Sequence, residues 1–237
     1  MTVLRVAPAI FEAFPEARIG VVAFEGARND AEAPELVGLL GAESAEALRR
    51  LGATPVAEHP RVAPWREAYR RFGAKPKDHP SSIENLLRRV AKGPPPRPVN
   101  PLVDLYNVVS LRHFLPVGGE DLDAVSGDVE LRFAREGEPA VRLLGEPEAR
   151  PPRAGEVIYS DDLGALCRRW NWKEADRTKL TEKTTRGFLV VEALPPAGRA
   201  ELDAALADLA ALVEKYCGGM VRREVLDRDH PAMSLIV

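Results

Sequence analysis

Glutamine is missing from all 237 residues, and cysteine occurs only twice, at Cys167 and Cys217. The two cysteines lie far apart. They could pair, but buried free thiols in a cytosolic chain are the expectation. The four histidines are scattered, with no H-x-x-x-H or C-x-x-C spacing, so neither a protein-bound metal nor a cofactor is expected. No apolar run approaches the roughly 18 residues needed to span a bilayer. The opening residues, Met1-Thr2-Val3-Leu4-Arg5, carry no charged segment followed by a long apolar one. No signal peptide is read, and a cytoplasmic location is expected. Missing glutamine, with arginine in excess of lysine, fits a GC-rich or thermophilic source.

What is present is ordinary in bulk and uneven in detail. At 45% hydrophobic and 29% charged, the composition is that of a soluble globular protein. The length fits one large domain or two small ones; we read residues 1–237 as a single domain that can bury a substantial core without staples. The net charge of -3 hides segregation. Arg61 to Asn100 holds ten basic residues and three acids, and Arg168 to Arg186 holds seven and three. The remainder is strongly acidic. Such segregation can make a positive face on an acidic protein, or it can be a solvated helix face neutralised by neighbours.

Ile19, Val21, Val22 and Phe24 predict a buried strand over Ala17 to Phe24, ended by Gly26. Ala33 to Leu51 predicts one or two helices, with Gly38 and Gly41 weakening the middle and Ser44 placed to cap a second piece. Val62, Trp65, Tyr69 and Phe72 recur at helical spacing up to Gly73. Ser81-Ser82-Ile83-Glu84 matches a capping box, and Ile83, Leu86, Leu87, Val90 and Ala91 form one stripe behind it. Gly93-Pro94-Pro95-Pro96-Arg97-Pro98 is a stiff connector. Asn100-Pro101 is a helix start, and the helix to Phe114 is apolar on most sides, with Asp104 and Asn107 as exceptions. After Gly118-Gly119 the pattern turns to strands: Val129-Leu131-Phe133, Val157-Ile158-Tyr159 and Phe188 to Val191. Leu202, Leu206, Leu209 and Val213 mark a last amphipathic helix, and Met220 to Leu226 returns as a strand. No repeat is found.

Five pieces in order carry a resemblance. They are Asn100-Pro101-Leu102-Val103-Asp104-Leu105-Tyr106-Asn107, then Pro116 and Asp121, then Gly127-Asp128-Val129-Glu130-Leu131-Arg132-Phe133-Ala134, then Gly155-Glu156-Val157-Ile158-Tyr159-Ser160-Asp161, and Thr184 to Ala193. At this spacing the chain resembles the B-three/B-four editing module of the bacterial phenylalanyl-tRNA synthetase beta chain, over residues 60–216. The resemblance implies an α+β fold of mixed and antiparallel sheets with helices packed outside. It also implies binding of tRNA, charged or mischarged, and hydrolysis of a misplaced aminoacyl ester in trans. The rival readings are a noncatalytic RNA-binding adaptor and an amino-acid pocket without RNA.

Residue by residue, the resemblance places Asn100, Asp104 and Asn107 beside the editing pocket, with Asp104 and Asn107 holding water or the ligand's ammonium. They could equally tie the helix to a loop. Glu192, in Val190-Val191-Glu192-Ala193, sits where the family reads the amino acid; alternatively it ends a strand facing water. The family's Pro-Leu-His-Ala-Phe-Asp run is here Pro116-Val117-Gly118-Gly119-Glu120-Asp121, so Gly118 replaces a histidine. His113 is the nearest substitute. The family's glycine-rich loop becomes Cys167-Arg168-Arg169-Trp170-Asn171-Trp172. If it runs as a strand, Trp170 and Trp172 share one wall, as base-stacking platforms or as pocket lining. Arg70, Arg71, Arg88 and Arg89 are the candidate phosphate contacts.

Overall fold

The apolar run at Ile19 to Phe24 becomes the centre of a sheet. The computed structural model describes residues 2–30 and 32–236. In chain order the first half contains β1 (Val3–Val6), α1 (Pro8–Ala13), β2 (Arg18–Glu25), α2 (Pro34–Leu51), α3 (Ala63–Arg71), α4 (Ser82–Lys92) and α5 (Pro101–His113). Then come β3 (Val117–Asp121), β4 (Val129–Phe133), β5 (Val141–Arg142), β6 (Ala149–Arg150), β7 (Val157–Asp161), β8 (Gly164–Arg168) and β9 (Lys173–Glu174). The chain closes with β10 (Arg186–Ala193), α6 (Arg199–Tyr216), β11 (Met220–Leu226) and β12 (Ala232–Ser234). This is the expected α+β architecture with mixed and antiparallel sheets.

One antiparallel sheet has the order β11-β2-β10-β3, and a second, six-stranded sheet runs β12-β1-β4-β7-β8-β9, mixed because β1 pairs parallel with β4. The main apolar core draws Leu4 and Leu131 from the six-stranded sheet and Val21 and Leu189 from the other, and a smaller cluster around Val141, Leu143 and Ile158 lies apart from it. α6 lies on β2 at Gly20, where a Cβ would stand 3.0 Å from Leu206 Cδ1. α5 packs between α2 and α6, which explains why it is apolar on most sides.

Local departures from the sequence reading have identifiable causes. α2 runs unbroken through Gly38 and Gly41. Ser44 does not cap a second piece; its hydroxyl donates to Leu40 O at 2.7 Å inside the helix. Ser81 caps α4 by accepting from Glu84 N, but the Glu84 carboxylate does not complete the box. It is fully buried and binds Arg66 at 2.5 Å and Arg88 at 2.6 Å, which are stronger partners than a backbone amide. Asn100 caps α5 through Val103 N at 3.1 Å.

Gly118-Gly119, read as a break before the strands, is itself strand β3. Gly119 is required by contact with β10: a Cβ there would lie 2.3 Å from Leu189 Cδ2 and 2.7 Å from Phe188 O. At Gly118 the nearest atom is Glu174 Oε1, 3.5 Å away. Gly119→Ala should therefore cost about 1–3 kcal/mol, as overpacking does, whereas Gly118→Ala should stay within about 0.5 kcal/mol of the parent. Chemical denaturation checks this, and equal effects would contradict the packing described.

Candidate active site

Strand alternation puts Phe188, Val190 and Glu192 of β10 on one face. Their partners Glu120 and Gly118 on β3 share that face. Opposite stand Cys167 and Glu174 from β8 and β9 and the turn between these strands. Ser82 and Asn85 of α4 and Tyr106 of α5 complete a cavity of about 310 Å³. The cavity thus lies where the two sheets converge.

Glu192 is 1% exposed. Tyr159 Oη donates to its Oε1 at 2.6 Å, and Asn171 Nδ2 donates to its Oε2 at 2.6 Å. Tyr69 Oη donates to Asn171 Oδ1 at 2.8 Å, which fixes the amide so that its NH₂ faces Glu192. The carboxyl nonetheless has its pKa raised to about 7, because burial outweighs these donors.

Two more carboxyls share the cavity. Burial raises Glu174 to about 7. Glu120 is pushed well above its ordinary range, first by burial and then by the charge of Glu174. Three polar atoms from cavity-lining residues are buried without a hydrogen bond: Glu120 Oε2, Trp170 Nε1 and Ser82 Oγ. The Trp170 N–H still lies near enough to Glu192 to favour its charged form. Such groups are costly unless something polar meets them. Cys167 is not an activated nucleophile: burial pushes its thiol well above its usual range. Among the described residues no cluster suits a metal ion.

The tryptophans are placed differently from the strand expectation. Residues 169–172 form a turn, with left-handed backbone at Arg169 (φ 51°) and Trp170 (φ 65°). Trp170 is fully buried between Phe14 (5.0 Å) and Trp65 (5.1 Å). Trp172 is half-buried, with His79 edge-on at 4.5 Å and Arg169 over its ring at 4.5 Å. Both still border the cavity.

Asp104, Asn107 and Asn100 do not join Glu192. Asp104 and Tyr106 are two residues apart on a helix, about 200° around its axis. Because α5 turns Tyr106 into the cavity, Asp104 points away. Asp104 Oδ1 accepts from Val99 N at 2.9 Å, and burial raises its pKa. Asn100 Nδ2 donates to Leu180 O at 3.3 Å. Asp104 and Asn100 border a separate shallow cleft with Asn29 and Glu182. Asn107 is half-buried and borders neither space. His113 Nε2 lies 3.0 Å from Asp208 Oδ2, so it does not substitute at Gly118; Glu174 faces that position instead.

Of the basic candidates, Arg70, Arg71 and Arg89 are exposed. Arg70 pairs with Glu67 at 3.0 Å. Arg88 is bound to buried Glu84 and serves the fold. Arg89 lies one turn beyond Asn85 on the face of α4 that lines the cavity.

The raised carboxyls make a pH signature. A group whose folded pKa lies above its unfolded value contributes stability fully present below about 4.5 and lost as pH rises through about 7. Glu192→Gln should therefore flatten the decline of stability between pH 5 and 8, by roughly 3 kcal/mol at most. Parallel denaturation curves for parent and variant across that range would exclude a raised Glu192.

The sequence matches the B3/4 domain family over residues 64–218. It is similar to the phenylalanine–tRNA ligase beta subunit of Bordetella pertussis, 39% identical over 88 residues, covering 37% of this chain and 10% of that one. The same subunit of Novosphingobium aromaticivorans is 32% identical over 101 residues, covering 38% and 12%. The chain thus spans about a tenth of the length of these curated relatives. An N-terminal fragment of the phenylalanyl-tRNA synthetase beta-subunit from Pyrococcus horikoshii superposes with a TM-score of 0.48 at 13% identity, covering 92% of this chain and 50% of that one. On the match across well over half of its residues, the chain belongs to the B3/4 domain family.

Proposed function

We propose that this chain binds the charged end of a tRNA in the cytoplasm and hydrolyses the ester of a misplaced amino acid. The observation that carries this reading is the cavity itself: the buried carboxyls Glu120 and Glu192 and the half-buried Glu174, around a space of about 310 Å³. That size lies at the low end of small-ligand pockets, about 300–1,000 Å³, and suits an amino acid with its ester. Relatives of this family that carry the same segment are tRNA ligase subunits.

The chemistry asks little of the protein. An aminoacyl ester is already activated, so a positioned water and a polarised carbonyl suffice. Glu174, with its pKa raised to about 7, is matched to take a proton from that water at neutral pH. The unpartnered Ser82 hydroxyl, with the Trp170 N–H beside Glu192, supplies a donor for the ester carbonyl. Glu192 reads a hydroxyl or ammonium on the amino acid by exchanging its bond to Tyr159 or Asn171. Glu174 thus takes the water-holding role expected of Asp104 and Asn107.

One observation favours a second reading. Both Glu192 oxygens are already satisfied within the protein, and no histidine stands at Gly118. The same cavity then holds an amino acid or aminoacyl end without cleaving it.

Deacylation of a panel of mischarged tRNAs separates the two. The parent should hydrolyse at least one, and Glu174→Gln should slow it by about 100-fold or more. Binding without hydrolysis across the whole panel would sink the enzymatic reading. For the RNA face, charge reversal at Arg70, Arg71 and Arg89 should weaken tRNA binding and flatten its salt dependence by about 0.9 in slope for each phosphate no longer neutralised. An unchanged slope in a folded triple variant would remove that surface from the account.

A further inference from the structure

A second, smaller pocket of about 170 Å³ shares Trp172 with the carboxylate cavity as a common wall. It lies among Arg168, Arg169, Arg150 and His79, on an apolar floor of Val141 and Leu143. The residues at its rim are already paired: Glu146 with Lys173 at 2.5 Å, and Glu148 with Arg150 at 3.2 Å.

One cation in this pocket is paired only loosely. Glu156 is buried beneath it, and both Glu156 oxygens are taken by Arg168, at 2.7 and 3.0 Å. Arg169 is left 3.8 Å from Glu156 Oε2. Its side chain is 10% exposed, and among the described residues its guanidinium donates no hydrogen bond. The guanidinium also lies over the face of Trp172. Beside it, His79 Nδ1 is buried without a hydrogen bond, although the backbone of Lys75 lies near enough to the imidazole to favour its charged form. A largely buried guanidinium held by one long ion pair keeps donors free for a ligand, and a phosphate is the ligand whose oxygens match its planar fork.

We propose that this pocket is a phosphate subsite, headed by Arg169 and His79, for a nucleotide whose ester-linked amino acid occupies the neighbouring carboxylate cavity. The inference rests on the function proposed above and specifies its substrate: an aminoacyl group and its adjoining nucleotide phosphate, divided by Trp172. It also accounts for the bulky basic turn. Arg169 and Trp172 hold the phosphate side, while Trp170 and Asn171 serve the carboxylate side.

Calorimetric titration of the full chain with adenosine, adenosine monophosphate and the dinucleoside phosphate CpA tests the subsite. At least one phosphate-bearing probe should bind about tenfold more tightly than adenosine, with inorganic phosphate competing. Preference for CpA assigns the phosphate to an RNA chain end, and preference for the monophosphate assigns it to a free nucleotide. Arg169→Met should abolish the preference. His79→Ala, at a half-buried position, should reduce it about threefold and serves where Arg169→Met does not fold. Equal binding of all three probes, binding of none, or a preference retained in the folded variants would overturn the proposal. Absence of the preference beside intact deacylation removes only the subsite. A retained preference without deacylation of any charged tRNA removes only the hydrolytic function.

Discussion

Burying an ionisable carboxyl at the meeting of two sheets is the constraint on which the site depends. Glu192 is carried on β10, whose nearer residues on that face, Phe188 and Val190, are apolar. A free charge there would be costly, and the surrounding structure supplies donors from distant parts of the chain. Tyr159 comes from β7, Asn171 from the turn after β8, and Tyr69 from α3 behind it. These three hydrogen bonds tie the six-stranded sheet and a helix to β10 of the other sheet. Removing one partner would leave a buried group unsatisfied, a larger loss than the bond itself.

The same junction explains why three carboxyls can coexist there. Burial raises both Glu120 and Glu174, and the charge of Glu174 raises Glu120 further. A carboxyl raised to about 7, as Glu174 is, can take a proton from water near neutral pH. Beyond Trp172 the sign of the charge reverses, with Arg168 and Arg169 set on buried Glu156. An acidic space and a basic one separated by a single indole suit a ligand that carries an ammonium at one end and a phosphate at the other.

Much of the architecture was legible in the sequence because it rests on strong local signals. The alternation of Val129, Leu131 and Phe133, the Asn100-Pro101 start and the stripe of α4 each name an element without help from the rest of the chain. Glu192 stood out because a carboxylate followed four apolar residues on a strand. Glu120 and Glu174 did not. Glu120 lies on β3, whose two glycines look like a turn until the contact of Gly119 with Leu189 is known. Glu174 sits on a two-residue strand with no periodicity of its own. Asp104 and Asn107 drew notice as polar breaks in an apolar helix, yet which side of α5 meets the cavity is set by packing against α2 and α6. Asp104 is a loop tie, as one of its two readings allowed. The turn at Arg169 and Trp170 adopts left-handed backbone that nothing in the side-chain pattern signals.

The central claim is that an aminoacyl end enters the space bounded by Glu120, Glu174 and Glu192. A structure of the full chain with a non-hydrolysable amide analogue of aminoacyl-adenosine tests it most directly. The account predicts the amino acid within hydrogen-bond reach of Glu192 or Glu120, and its carbonyl facing Glu174 across one water. An analogue bound in the cleft beside Asp104, or a cavity left without it at saturating concentration, would contradict the account.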